Sequence, residues 1–82
     1  MTQASSNRIS NQIRTLRFMN GEMTQQELAD RIDVTRQTVV AIEQGRYAPS
    51  LEIAFRIAEV FKCKMEEVFQ YQTQEKGKKP KK

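Results

Sequence analysis

The sequence predicts an all-α fold, a bundle of five short helices in a single domain. Apolar residues recur three and four positions apart in five separate segments. A residue that can cap a helix precedes several of these segments, and a glycine follows two of them. A chain of 82 residues is long enough for one domain at most.

The first helix is predicted over about residues 11–20, where Ile13, Leu16 and Met19 recur at helical spacing. Gly21 follows them as a stop signal, because glycine readily adopts the left-handed conformation that ends many helices. The three apolar side chains are therefore expected to face the core.

The second helix is predicted over about residues 25–32 and begins with a capping box. Thr24 and Glu27 have the required spacing, at which each side chain accepts a hydrogen bond from the backbone of the other. The apolar face of this helix consists of Leu28, Ala29 and Ile32. The link Asp33-Val34 is short enough only for a tight turn before the third helix.

The third helix is predicted over about residues 36–44, with Thr35 as its N-cap and Gly45 as its stop. At about 100° per residue, Thr35 falls on the same face as Val39 and Ile42, and this face is expected to point inward. The opposite face carries two amides and two small apolar groups beside a guanidinium. These residues are Arg36, Gln37, Val40, Ala41 and Gln44.

This outer face has the chemistry of a surface that contacts DNA. A helix that meets only solvent usually carries lysine and glutamate, whereas small side chains let a helix approach base edges. Glutamine can bond adenine, arginine can bond guanine, and valine or alanine can touch a thymine methyl group in the major groove. The alternative is that Val40 packs under a neighbouring loop and that the face is merely structural.

The remaining segments predict two further helices and a strand. Ser50 caps a fourth helix over about residues 51–61, whose apolar stripe is Leu51, Ala54, Phe55, Ala58 and Phe61. A fifth helix over about residues 65–69 turns Met65, Val68 and Phe69 inward. Residues 69–72 then alternate apolar with polar, as a half-buried strand does, and residues 8–10 are its expected partner.

Composition divides the chain into three expected parts. These are a disordered N-terminus over residues 1–7, a domain over 8–72 and a disordered basic tail over 73–82. The net charge is +4, and residues 72–82 alone carry five lysines and one glutamate. Residues 1–71 carry nine basic and nine acidic side chains. The net charge is therefore weak support for a nucleic-acid partner, although the tail itself could strengthen DNA binding non-specifically.

Composition argues against several classes of protein. No apolar run is long enough to span a membrane, and the N-terminus has no apolar stretch of a secretory signal, so a cytoplasmic protein is expected. A chain with one cysteine and no histidine is not expected to bind a metal or another cofactor. It also shows no activated nucleophile and no phosphate-cradling glycine loop, so an enzyme is not expected.

Residues 24–45, TQQELADRIDVTRQTVVAIEQG, resemble the helix-turn-helix of the phage repressor/Cro (XRE) family of transcriptional regulators. The similarity extends through Pro49-Ser50-Leu51 and covers about residues 11–69. Asp33 departs from the pattern, since many relatives have glycine in this turn, but aspartate tolerates the left-handed conformation better than most residues. The resemblance implies a five-helix, lambda-repressor-like domain that binds double-stranded DNA.

The resemblance also implies roles for individual residues. Arg36, Gln37 and Ala41 match base-contacting positions, with Thr38 and Val40 beside them on the same helix. Thr35, Gln44 and Arg46 match positions that contact the DNA backbone, and the backbone N–H of Gln25 suits a phosphate at the start of the second helix. Ala29 matches a small residue at a close helix crossing, and Arg17 and Glu43 match a structural ion pair.

The C-terminal part is similar to a subset of small regulators that are homodimers, which implies a dimer interface at Val68, Phe69 and Tyr71. The function expected is a sequence-specific repressor that binds a pseudo-palindromic operator, with the third helix of each subunit in a major groove. The alternative is an antitoxin or adaptor that binds a protein partner and regulates its own promoter.

Two other features have a functional and a structural interpretation. Cys63 lies between Lys62 and Lys64, which would lower the pKa of a redox-sensing thiol, although a small filler is the plainer interpretation. Phe18, Met19 and Met23 could line a small-ligand pocket or could simply pack in the core or against a loop. No small-molecule ligand is expected.

Overall fold

The computed structural model describes residues 9–71 as five α-helices and one two-stranded antiparallel sheet. In chain order the elements are β1 (Ile9–Asn11), α1 (Ile13–Met19), α2 (Gln25–Ile32), α3 (Arg36–Glu43), α4 (Leu51–Phe61), α5 (Met65–Val68) and β2 (Phe69–Tyr71). The predicted helical bundle with a short added sheet is confirmed. The predictions for residues 1–7 and 73–82 fall outside the described residues.

α1 begins two residues later than predicted, because Asn11 belongs to β1. Asn11 Oδ1 accepts the N–H of Ile13 at 3.1 Å, and Asn11 Nδ2 donates to the carbonyl of Ile42 at 2.9 Å. Ile13 is fully buried and Leu16 packs against the core, but Met19 is 70% exposed. The inward orientation predicted for Met19 is wrong, since it lies about 120° around the helix from Ile13 and at the last residue of α1.

α2 has the predicted bounds and the predicted cap. Thr24 Oγ1 accepts the N–H of Glu27 at 3.0 Å, and Glu27 Oε1 accepts the N–H of Thr24 at 2.8 Å. Asp33 ends the helix in the left-handed conformation, with φ of 62°. The backbone of Asp33 therefore adopts a left-handed conformation that glycine would adopt with less strain.

α4 also has its predicted bounds and its Ser50 cap, but its apolar stripe was only partly correct. Ala54, Ala58 and Phe61 are buried together with Ile57, whereas Leu51 and Phe55 are largely exposed. The buried face is centred between Ile57 and Ala58, and Phe55 lies about 110° away from that centre. α4 is thus apolar on a second face that the core does not cover.

The sheet joins the two ends of the described chain. Ile9, Ser10 and Asn11 pair with Tyr71, Gln70 and Phe69, respectively. The N-terminal strand lies at residues 9–11 rather than 8–10, and α5 ends at Val68 because Phe69 has an extended backbone. The largest fully buried side chains of the core are Ile13, Leu28, Ile32, Val39, Ile42, Ile57 and Val68. They bury the inner face of α3 and leave its opposite face at the surface.

Candidate nucleic-acid interface

The outer surface of α3, defined by Arg36, Gln37, Val40, Ala41 and Gln44, is called the groove face below. Arg36, Gln37 and Gln44 are exposed, and Val40 and Ala41 are half-buried. On the other side of α3, Val39 and Ile42 are buried in the core. The groove face is therefore exposed while the helix that carries it is held by its other side.

Thr35 caps the N-terminus of α3, and its side chain does not pack into the core. Thr35 Oγ1 accepts the N–H of Thr38 at 3.2 Å, and the two hydroxyl groups lie 3.0 Å apart. Thr35 is exposed, so its predicted place on the inner face is wrong. Its extended backbone places the side chain over the end of the helix instead of against the core.

Ala29 of α2 is fully buried in the core that α2 shares with α3. The N–H of Val34 donates to the carbonyl of Ala29 at 3.0 Å, directly after the left-handed Asp33. A larger side chain at Ala29 would push the two helices apart, because interiors tolerate little added volume. The small residue predicted at this position is therefore buried, and the close crossing of the two helices at Ala29 stays a prediction.

A polar network fixes the far end of α3 to α1. Arg17 Nε donates to Glu43 Oε2 at 2.7 Å, and Arg17 Nη2 donates to Glu43 Oε1 at 3.1 Å. Arg17 Nη1 also donates to the carbonyl of Met23 at 2.8 Å. The two charged side chains are 14% and 9% exposed. The bidentate contact thus joins α1, α3 and the loop that precedes α2.

Gln25 belongs to the same network. Its Nε2 donates to Glu43 Oε1 at 3.2 Å. An amide nitrogen carries two N–H groups, so this bond leaves one side-chain donor of Gln25 for an external acceptor. The backbone N–H of Gln25, at the first turn of α2, is a second group that suits an anion.

The loop after α3 carries a second basic group beside the groove face. Arg46 Nε donates to Gln44 Oε1 at 2.8 Å, and the N–H of Arg46 donates to the carbonyl of Ala41 at 2.9 Å. Both side chains are exposed. Gly45, between them, has φ of 76°, a conformation that glycine adopts without strain.

Arg14 is a residue near this surface that the sequence did not single out. A polar cleft of about 670 Å³ lies between α1, the first turn of α2 and both ends of α3, and Arg14 lines it together with Gln25 and Arg36. The sequence gives no signal for this, because only the packing of α1 against the end of α3 brings Arg14 to the cleft.

The residues predicted for a dimer interface differ in their exposure. Val68 is fully buried within the chain, so it offers no surface to a partner and that assignment is wrong. Phe69 is half-buried and Tyr71 is 66% exposed. Phe69 borders an apolar cleft of about 320 Å³ that also includes Leu51 and Met65.

The apolar surface continues past that cleft. Met65 also lines a neighbouring depression that includes Phe55, which is 56% exposed. Leu51, Phe55, Met65 and Phe69, which line these two clefts, are called the apolar patch below. The sequence pattern that could have predicted this patch is on α4. Its apolar residues cover a wider arc of the helix than the face that packs in the core.

The pKa of the Cys63 thiol is shifted in the direction opposite to the one that a redox sensor needs. Burial raises its pKa, and the carboxylate of Glu67 raises it further through its charge and a hydrogen bond. Cys63 packs against the core as a half-buried side chain. The pKa is therefore raised despite the two flanking lysines, which is the direction that disfavours a redox-sensing thiol.

The three residues considered for a ligand pocket at the end of α1 do not form one. Met23 is buried in the core, whereas Phe18 is 67% exposed and Met19 is 70% exposed. Among residues 9–71, no three side chains that ligate metals lie close enough to hold an ion. The helices within the same range are also too short and too polar to cross a bilayer.

Comparison with known proteins gives concordant results. The Helix-turn-helix family model matches residues 13–68. An uncharacterized HTH-type transcriptional regulator of Methanocaldococcus jannaschii is 49% identical over 53 residues, which are 65% of this chain and 80% of that protein. The HTH-type transcriptional regulator YgzD of Bacillus subtilis, also named as uncharacterized, is 46% identical over 61 residues, 74% of this chain and 91% of that protein.

A solved structure shares the fold. It is the crystal structure of a Bacteroides fragilis protein to which a DNA-binding role is ascribed, and it superposes with a TM-score of 0.65 at 18% identity. The superposition covers 76% of this chain and 98% of that one. At this level of identity the comparison bears on the fold alone.

Proposed function

The chain belongs to the XRE-type helix-turn-helix family of transcriptional regulators, and from this membership we propose that it is a sequence-specific repressor. It binds double-stranded DNA with α3 in the major groove. In this position it occupies an operator and blocks transcription in the cytoplasm. It binds as a homodimer to a pseudo-palindromic site.

The groove face is the observation that supports this proposal. The exposed side chains of Arg36 and Gln37 lie at the N-terminal end of α3, the end of a recognition helix that contacts base edges. Arginine can donate two hydrogen bonds to guanine, and glutamine can pair with adenine. Val40 and Ala41 are small enough to let the helix approach, and their methyl groups can contact thymine.

The residues around the groove face have donors for phosphate groups. Thr35 and Thr38 present hydroxyl groups at one end of α3, and Gln44 and Arg46 present donors at the other. The backbone N–H of Gln25 presents a further donor at the start of α2. Contacts of this kind fix the register of a protein on DNA, whereas base contacts provide discrimination.

The apolar patch supports the homodimer. Leu51 and Phe55 are 67% and 56% exposed, and with Met65 and Phe69 they form a surface that water solvates poorly. A second copy can cover this surface with the identical residues, because a two-fold interface is self-complementary. A pseudo-palindromic site requires the two groove faces of such a dimer to lie about 34 Å apart, one turn of DNA.

A selection from a random DNA library, followed by titration of the enriched duplex at several salt concentrations, tests the proposal. We expect a two-fold-symmetric site that binds at least about 1,000-fold more tightly than scrambled DNA. A variant that ends at residue 73 should keep this preference. If all sequences bind equally and the truncation abolishes binding, the groove face has no function. Co-purification with a second small protein would then favour an antitoxin or adaptor.

A further inference from the structure

The polar cleft between α1 and the groove face contains two arginines that have no partner within the described chain. Arg14 extends from α1 and Arg36 from α3, and both line the cleft. Among residues 9–71, neither guanidinium donates a side-chain hydrogen bond or joins an ion pair. An exposed guanidinium of this kind is available to an external anion.

The direction of Arg14 follows from that of Arg17. Residues three positions apart lie on the same face of a helix. Arg17 is held by Glu43 and by the carbonyl of Met23, so this face of α1 is turned toward the end of α3. Arg14 therefore points toward the same side of the molecule as the groove face.

The charges of the cleft leave an excess of positive charge. Three arginines and two glutamates line it, and Arg17 is neutralised by Glu43. Arg14 and Arg36 are then opposed only by Glu22 among the cleft residues of the described chain. A phosphate group at the mouth of the cleft would meet a net positive surface, and Glu22 would weaken its binding.

We propose that Arg14 binds a DNA phosphate next to the half-site that the groove face contacts. This inference rests on the proposed function, since it adds a backbone contact to the same complex. The planar guanidinium suits a phosphate because it can donate two parallel hydrogen bonds. Arg14 supplies affinity at every sequence and no base discrimination, whereas Arg36 contacts bases.

The test compares Arg14→Ala with Arg31→Ala on the selected operator and on scrambled DNA. Both replacements remove one exposed arginine from a helix, but Arg31 is absent from the cleft and lies in the last turn of α2. For Arg14→Ala we expect roughly fivefold or greater loss of affinity for both DNAs at low salt. The slope of log K against log salt should become shallower by about 0.9 per binding site. Arg31→Ala should leave both quantities close to those of the parent.

A third variant tests whether removing a negative charge from the cleft strengthens DNA binding. Glu22→Gln removes the opposing carboxylate and should strengthen binding to both DNAs, and circular dichroism should show that all three variants remain folded. Equal losses for Arg14→Ala and Arg31→Ala would overturn the inference, because net charge would explain them. Parent-like binding by Arg14→Ala would overturn it too, while leaving the proposed function intact. Failure of the parent itself to bind any duplex would overturn both.

Discussion

Arg17 on α1 holds Glu43 at the end of α3 with two hydrogen bonds, at 2.7 Å and 3.1 Å. Both side chains are nearly buried, and Glu43 also accepts a bond from Gln25 of α2. Three helices therefore meet at one carboxylate, on the inner side of the groove face. The contact fixes the position of α3 without occupying any atom of the groove face.

Removing either partner of this ion pair should destabilise the fold. Glu43→Ala leaves the guanidinium of Arg17 without its carboxylate in a poorly solvated place, at an expected cost of about 1–3 kcal/mol in the free energy of unfolding. Urea titration of the single variants and of the double variant measures the coupling. The exposed i,i+4 pair Glu52 and Arg56 provides the control, where Glu52→Ala should cost well under that amount. If the losses of stability in the two single variants add up to the loss in the double variant, Arg17 and Glu43 do not stabilise each other, which would contradict the account.

Replacing Lys62 with glycine should stabilise the fold. Lys62 ends α4 in the left-handed conformation, with φ of 55°, where a side chain is strained by roughly 1 kcal/mol. Lys62→Gly should therefore raise the free energy of unfolding by up to about 1 kcal/mol. Asp33→Gly should gain less, because aspartate tolerates φ of 62° better than lysine tolerates its conformation. Both gains can be measured as shifts of the urea midpoint, provided that the dependence of the unfolding free energy on urea concentration keeps its slope. A larger gain for Asp33→Gly than for Lys62→Gly would contradict this ranking.

The apolar patch should control the oligomeric state. Phe55→Gln places a polar group in the proposed interface and should shift the protein toward monomer in sedimentation equilibrium, with weaker binding to a two-fold site. Phe18→Gln is the matched control, since Phe18 is exposed to a similar extent on a different helix. Equal effects of the two variants, or a parent that is monomeric at every concentration, would argue against this interface.

Cys63 should react slowly with thiol reagents at neutral pH. Burial and the charge of Glu67 raise its pKa, so the thiolate fraction is smaller in the folded protein than in the unfolded chain. The folded state then binds more protons than the unfolded state, so stability falls as pH rises above the ordinary thiol pKa. Cys63→Ala should remove this part of the high-pH loss, measured as the difference between the two urea profiles. Alkylation as fast as that of an unfolded cysteine would show that the thiol is not shielded.

Much of the fold was predictable because its signals are local. The capping box at Thr24 and Glu27, the Thr35 and Ser50 caps and the left-handed turn at Asp33 each depend on residues within one helical turn. The place of β1 was missed by one residue because strand register depends on pairing between residues about sixty positions apart.

The surface was harder to predict than the core. Leu51 and Phe55 have the same apolar chemistry as buried residues, and only the direction of packing decides which face of α4 is covered. Arg14 was missed for a related reason, since its place in the cleft depends on how α1 packs in the folded chain. Local chemistry identified the groove face, and tertiary contacts determined which residues surround it.

The most direct test of the central claim is base discrimination by Arg36 and Gln37. Affinities of Arg36→Ala and Gln37→Ala for the selected operator, for each single-base variant of it and for scrambled DNA should be measured at one salt concentration. Each variant should lose about 1–3 kcal/mol on the operator, lose far less on scrambled DNA and relax preference at one base pair per half-site. Binding profiles identical to the parent's at every base would contradict the assignment of α3 to the major groove.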